Sequence, residues 1–328
     1  MIKTKSKKIY LLLAGGTILS EDDAFCVEKE ADMEKWLNRM PELKIMADLI
    51  PVFICGETSG LRGPALWQKL SAEIFSRLDS AEGFIVTSGL SNILYNAISV
   101  SFGILNLNKP VVFTGSQLPV VKKELVGPKK ATPAGLGIKA NLINAMQMAS
   151  MDFGGSVLIF GNRCLRAVRS VHSAVYSLNV FNSLDDSYLA KIDFGVTFGE
   201  NLSLPVQPPV LKNQFADKVV ELKYYPGLDF ECLSSLAKTA TGLMLNVSNL
   251  EFFSKEFAAK LKTLPVPVLA FDHLFVPGYN VKNIIECSGQ TKATALVKFS
   301  WALGQTADQA EIRRLMNSEF CHEFLNRS

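Results

Sequence analysis

Lys8 to Ser20 reads KIYLLLAGGTILS. The apolar run Ile9 to Leu13 stops at Ala14-Gly15-Gly16, a hydroxyl follows at Thr17, and the chain turns polar at Ser20-Glu21-Asp22-Asp23. A short apolar run closed by glycines is the pattern of a buried strand that ends in a tight turn. Thr17 then sits at the carboxyl end of that strand, where ligands and reacting groups collect in an open α/β sheet. Gly15 and Gly16 let the backbone approach a bound group closely. The same pattern also suits an ordinary strand exit whose hydroxyl caps the next turn.

Working outward, the unit repeats. Ile50 to Cys55 is a second strand, ending at Gly56-Glu57-Thr58-Ser59-Gly60. Pro64 opens a helix with apolar positions Leu66, Leu70, Ile74 and Leu78 at helical spacing. Gly83 to Thr87 reads as a third strand, Ser88 to Asn92 as its exit loop, Ile93 to Leu105 as a buried helix, and Lys109 to Thr114 as a fourth strand running into Gly115-Ser116-Gln117. Strands alternating with helices imply a mainly parallel sheet with helices on both faces. Ala24 to Met40 reads as a loop leading into a short helix, and Val121 to Ala134, with Lys122, Lys123, Lys129 and Lys130, as an exposed basic insertion.

Further along, Asn141 to Ala149 is a helix and Ser156 to Phe160 a strand, followed by a polar segment with Arg163, Arg166, Arg169 and His172. Clustered prolines cannot serve a sheet interior, so residues 199–215 are expected to link a domain at 1–198 to a smaller α/β domain at 216–328. In that second part Val219 to Tyr224, Gly242 to Asn246 and Val266 to Phe271 are strands, and an amphipathic helix runs from about Ala307 to Met316. The fold class expected is α/β: a larger amino-terminal mainly parallel sheet domain with helices on both faces, plus the smaller carboxyl-terminal one.

The 328 residues hold 34 Lys plus Arg against 31 Asp plus Glu, a formal charge of +3. That balance supplies no global attraction to nucleic acid or an anionic membrane. The histidines (His172, His273, His322) are scattered, which argues against a histidine-built metal site, and His273 and His322 read as structural or surface residues. The six cysteines are far apart without a CxxC pair, the pattern of reduced cytosolic thiols. The basic start Met1 to Lys8 precedes a run too short for a signal core. A soluble cytoplasmic protein is expected.

AGGTI (14–18), KPVVFTGSQLP (109–119), NLINA (141–145), YYPGLD (224–229) and IRRLM (312–316) together resemble the bacterial-type L-asparaginases, in particular the cytoplasmic type I branch. The resemblance is collinear over nearly the whole chain. It implies hydrolysis of the side-chain amide of asparagine to aspartate and ammonia without metal or organic cofactor, in a homodimer or homotetramer with active sites at subunit contacts. It also implies a threonine nucleophile in the glycine turn, which Thr17 matches, and a Thr-Asp pair after the third strand working with a later lysine. Thr58 falls where the family binds the substrate carboxylate with a serine, Ser59 is its neighbour, and the aspartate that follows becomes Gly60. Phe25 falls near the family's tyrosine.

The second catalytic group departs from the pattern. An ungapped alignment of Gly83 to Phe102 puts Leu90 at the second threonine and Ser91 at the aspartate, and GNRCLRAVRSVHS (161–173) puts His172 at the lysine. The candidate catalytic residues are therefore Thr17, Ser91 and His172, with Thr58, Ser59, Gly89 and Leu90 toward a small amide or amino-acid ligand. Leucine at 90 can neither donate nor attack, and it makes the pocket less hospitable to a zwitterion. Two readings stand: an amidohydrolase in which Ser91 and His172 form a substituted relay, or a family member that binds a small molecule or joins an assembly without turnover. A third, a tRNA-linked amidotransferase subunit, shares the fold but implies an additional amino-terminal domain and an intact Thr-Asp-Lys group.

Overall fold

The structure is a computed structural model that describes residues 8–20, 23, 25–117, 137–173, 179–199, 204–225, 227–247, 254–272 and 283–325. The basic insertion at Lys122 to Lys130 and His273 lie outside them. The chain divides into two compact units, with the boundary between Leu211 and Lys212.

The first unit begins with β1 (Lys8–Ala14), α1 (Met33–Leu37), α2 (Pro41–Met46), β2 (Asp48–Cys55), α3 (Pro64–Phe75), β3 (Gly83–Ser88), α4 (Leu90–Gly103), β4 (Ile104–Leu105) and β5 (Pro110–Thr114). It continues through α5 (Ile138–Ala149), β6 (Gly155–Phe160), β7 (Arg163–Arg166), β8 (Ser170–His172), β9 (Phe181–Ser183), β10 (Ala190–Ile192), β11 (Val196–Phe198) and β12 (Val210–Leu211). Eight strands form one sheet in the order β11-β10-β7-β6-β5-β3-β1-β2. Its β2, β1, β3, β5 and β6 portion is parallel, and β7, β10 and β11 extend it antiparallel.

Alternation along the central strands explains why both faces are covered. Ile9, Leu11 and Leu13 of β1, with Ile85 and Val112, share a core with Trp36, Leu43, Leu142 and Met146 from α1, α2 and α5. The intervening residues face the other way: Tyr10 stacks on Phe84, and Ser156 of β6 donates to the carbonyl of Ala97 on α4. At about 25 cal/mol per Å² of apolar surface removed from water, this two-sided burial is the main term holding the sheet.

Several boundaries differ from the sequence reading. The exit loop expected at Ser88 to Asn92 is shorter, because α4 begins at Leu90 and ends at Gly103. Gly89, extended at φ −64 and ψ 145, is its N-cap, and the Gly89 carbonyl accepts from the N–H groups of Asn92 and Ile93. Ser91 and Asn92 are exposed, so this first turn carries no apolar periodicity. The polar segment after β6 holds strand β7, whose Cys164 and Leu165 are buried. The stretch read as a linker contains β12, paired with β4.

The second unit comprises β13 (Val219–Lys223), α6 (Phe230–Ala237), β14 (Gly242–Asn246), α7 (Lys255–Leu261), β15 (Val268–Phe271), β16 (Ile284–Cys287), α8 (Lys292–Gln305) and α9 (Gln309–Asn317). Its four strands run parallel in sequence order. Leu233 and Ala237 of α6 and Leu261 of α7 pack on Leu243, Leu245 and Ala270. The amphipathic helix expected from about Ala307 starts at Gln309, because Asp308 caps it by accepting from the Ala310 N–H at 3.0 Å. No helix among the described residues is long and apolar enough to cross a membrane.

Candidate active site

The strand order turns at β1: β2 lies on one side of it and β3 on the other. Such a switch point opens a crevice at the carboxyl ends of the strands. A cleft of about 420 Å³ lies there, lined by Ala14, Gly15 and Gly16 after β1, by Cys55, Gly56, Glu57 and Ser59 after β2, by Gly89 to Asn92 after β3, and by Ser116 and Gln117 after β5. Ile18, Leu61, Leu66 and Leu90 make part of the wall apolar. Every one of these residues belongs to the first unit.

The glycine turn is dictated by packing. Gly15 and Gly16 have φ of +85 and +68, a region that suits glycine. A Cβ on Gly16 would stand 2.2 Å from the Ser88 carbonyl oxygen. The backbone is also tied across strands, since the Ser116 N–H donates to the Gly16 carbonyl at 2.8 Å. Asn141, the first residue of NLINA, is buried and serves this frame: its amide donates to the Gly115 carbonyl and its oxygen accepts from the Gly161 N–H.

Thr17 follows that turn, fully buried. Its hydroxyl donates to Glu57 Oε1 at 2.8 Å and accepts from the Val27 N–H at 2.9 Å. Its backbone N–H also donates to Glu57 Oε1, and its carbonyl accepts from the indole of Trp36 at 2.7 Å. Thr17 is thus held on every polar atom, behind the lining of the cleft. Glu57 bridges the two, since it both lines the cleft and receives the Thr17 hydroxyl.

The other expected residues fall in three places. Ser91, Leu90, Gly89 and Ser59 line the cleft. Thr58 is exposed, and its N–H and hydroxyl both donate to Glu28 Oε2, at 3.3 and 3.1 Å. His172 lies on β8, an exposed residue outside the described cleft lining, with its ring 4.7 Å from that of Phe181. Partial desolvation of the ring holds its pKa below the ordinary histidine value. Thr17, Ser91 and His172 are therefore not gathered on one cleft wall. Phe25 is half-buried beneath the cations of Lys35 and Arg39, 5.0 and 4.6 Å from its ring centroid.

Glu57 and Cys55 are the ionisable side chains among the described lining residues, and burial pushes the Cys55 thiol upward, which keeps it neutral. Among the described residues no group of three or more His, Cys, Asp or Glu side chains is placed to hold a metal ion. Sequence reasoning missed Glu57. The available signal was an acidic residue in the exit loop of a strand adjacent to β1.

A family model described as asparaginase, N-terminal, matches residues 8–203. The chain belongs to the asparaginase family. An L-asparaginase of Thermococcus kodakarensis is 26% identical over 289 residues, covering 81% of this chain and 83% of that protein. A glutamyl-tRNA(Gln) amidotransferase subunit of Metallosphaera sedula is 25% identical, over 97% of this chain and 76% of its own length. Among solved structures, L-asparaginase I of Vibrio cholerae superposes with a TM-score of 0.78 at 24% identity, covering 98% of this chain and all of that one (100%). The asparaginase-family fold expected from the sequence is the one found, in its larger mainly parallel sheet and its second, smaller sheet.

Proposed function

We propose that this asparaginase-family chain is an amidohydrolase that converts a small amide to the acid and ammonia, with Thr17 as nucleophile and asparagine a poor substrate. One observation carries the reading: the threonine after the glycine pair is held by a carboxylate at the edge of a cleft on the sheet's switch point. A threonine hydroxyl is a weak attacker unless a neighbour removes its proton. The first turn of α4 opens into the same cleft through Leu90 and Ser91, and a helix N-terminus favours the negative charge that develops on an attacked carbonyl oxygen. Ser91 and Ser59 offer hydroxyls to the ligand, whereas Leu90 presents hydrocarbon, which disfavours an asparagine zwitterion. His172 has no part in this reading, because it sits exposed on β8.

The test is ammonia release by purified protein from asparagine, glutamine and neutral amides such as propionamide. Release that Thr17→Ala abolishes is expected, faster on neutral amides than on asparagine; no release from any of them refutes the proposal. The complete burial of Thr17 favours a second reading, a family member that binds a small amide without turnover. A ligand-dependent rise in melting temperature with no product would single that out. We also place the protein in the cytoplasm, in line with a structural neighbour from Campylobacter jejuni described as a probable cytoplasmic L-asparaginase, and as a homodimer or homotetramer, as the family resemblance implies. Light scattering that reports a monomer at micromolar concentration would refute the assembly.

A further inference from the structure

We propose that Glu57 is the proton acceptor for Thr17, standing in for the Thr-Asp-Lys group that the resemblance implies and whose positions the alignment gives to Leu90, Ser91 and His172. This assignment rests on the amidohydrolase reading. A hydroxyl has one proton to give and two lone pairs. At Thr17 the proton points to Glu57 Oε1 at 2.8 Å, and one lone pair accepts from the Val27 N–H at 2.9 Å. One lone pair remains for attack. Proton, acceptor and attacking pair are thus assigned within one pair of side chains.

The acceptor is held against Thr17 by more than the hydroxyl. The Thr17 N–H donates to the same Oε1. Glu57 Oε2 is the atom a Cβ on Gly15 would meet first, at 3.4 Å, so the carboxylate lies along the glycine turn. The alternatives are worse placed. Leu90 carries no proton acceptor, Ser91 would need a base of its own, Cys55 is held neutral by burial, and His172 is exposed on β8.

The steps balance. As Thr17 Oγ1 bonds to the amide carbon, its proton passes to Glu57 and the carbonyl π pair moves onto oxygen. When that pair returns, the carbon–nitrogen bond breaks, nitrogen takes the proton from Glu57, and ammonia leaves an acyl ester on Thr17. Water then attacks the ester and gives its proton to Glu57, which returns it to Oγ1 as the acid departs. Because Thr17 is fully buried, substrate must displace part of its cover before the first step.

Glu57→Gln tests the role, because glutamine keeps an acceptor for both Thr17 donors while removing the base. With p-nitrophenyl acetate as probe, acetylation of wild type is followed by intact mass and mapped to the Thr17 peptide; ammonia release is followed on the amides. Expected are a fall of about 100-fold or more in acetylation and kcat, KM within about threefold, and an unchanged melting temperature. Partial recovery of Glu57→Ala by added formate would support a base over a merely positioning group. Wild-type acetylation at Thr17 that Glu57→Gln leaves within about threefold overturns the Glu57 assignment alone. Wild type that neither becomes acetylated at Thr17 nor releases ammonia overturns the amidohydrolase reading, and this assignment with it.

Discussion

Replacing Glu323 by glutamine should cost the second unit more stability than most single substitutions, and the structure says why. Lys298, inside α8, and Glu323, after α9, are both wholly buried, 2.7 Å apart. The ammonium also donates to the Ser318 carbonyl at 2.6 Å and lies 4.6 Å from the ring centroid of Phe324. Glu323 in turn accepts from the N–H groups of Phe320 and Cys321. The buried pair therefore pins residues 318–324 to α8. Glu323→Gln keeps the shape but leaves a buried ammonium facing neutral oxygens, a loss of about 3–5 kcal/mol. At about 4 °C per kcal/mol for a unit of this size, that lowers its melting temperature by roughly 12–20 °C. The check is thermal and urea unfolding of the full chain followed by circular dichroism.

The same pair gives a pH signature. Burial raises the Glu323 pKa, but the Lys298 charge and the backbone donors outweigh it, so the folded carboxyl titrates below the ordinary glutamate value. A depressed folded pKa contributes stability that is present above the unfolded value and is lost as pH falls through the folded one. Wild type should therefore lose stability toward low pH more steeply than the double variant Lys298→Met/Glu323→Leu. That variant should also recover much of the single variant's loss, since it removes both charges together. A cost below about 1 kcal/mol for Glu323→Gln, or a double variant less stable than the single, would refute the reasoning.

Three further outcomes follow from the first unit. Gly16→Ala places a methyl 2.2 Å from the Ser88 carbonyl at a φ of +68 and should destabilise by about 2 kcal/mol or more, read as a lower urea midpoint. His172→Gln should leave amide hydrolysis within about threefold of wild type and flatten no limb of the pH profile, since the ring packs on Phe181 and lies outside the described cleft lining; a loss of about 100-fold would restore it to the mechanism. Leu90→Thr puts a hydroxyl on the cleft wall and should raise kcat/KM for asparagine relative to propionamide in the same ammonia assay.

What the sequence determined by itself is local. The run Ile9 to Leu13 had to be a strand because its apolar residues stop at two glycines, and the structure has β1 at Lys8–Ala14 with Thr17 just beyond. The alternation of such strands with apolar-spaced helices made the parallel sheet legible, since both signals are read from neighbouring residues along the chain. The start of α4 was not legible, because its first turn faces the cleft and carries no buried stripe. Glu57 was hidden for a different reason: its contact with Thr17 spans 40 residues and exists because β1 and β2 are adjacent in the sheet. His172 shows the converse, a position that alignment assigns to catalysis and that stands exposed at the end of β8, where it pairs with β9. Local pattern dictates which elements form, while the order of strands in the sheet decides which side chains meet. That order is set by packing between segments far apart in the chain.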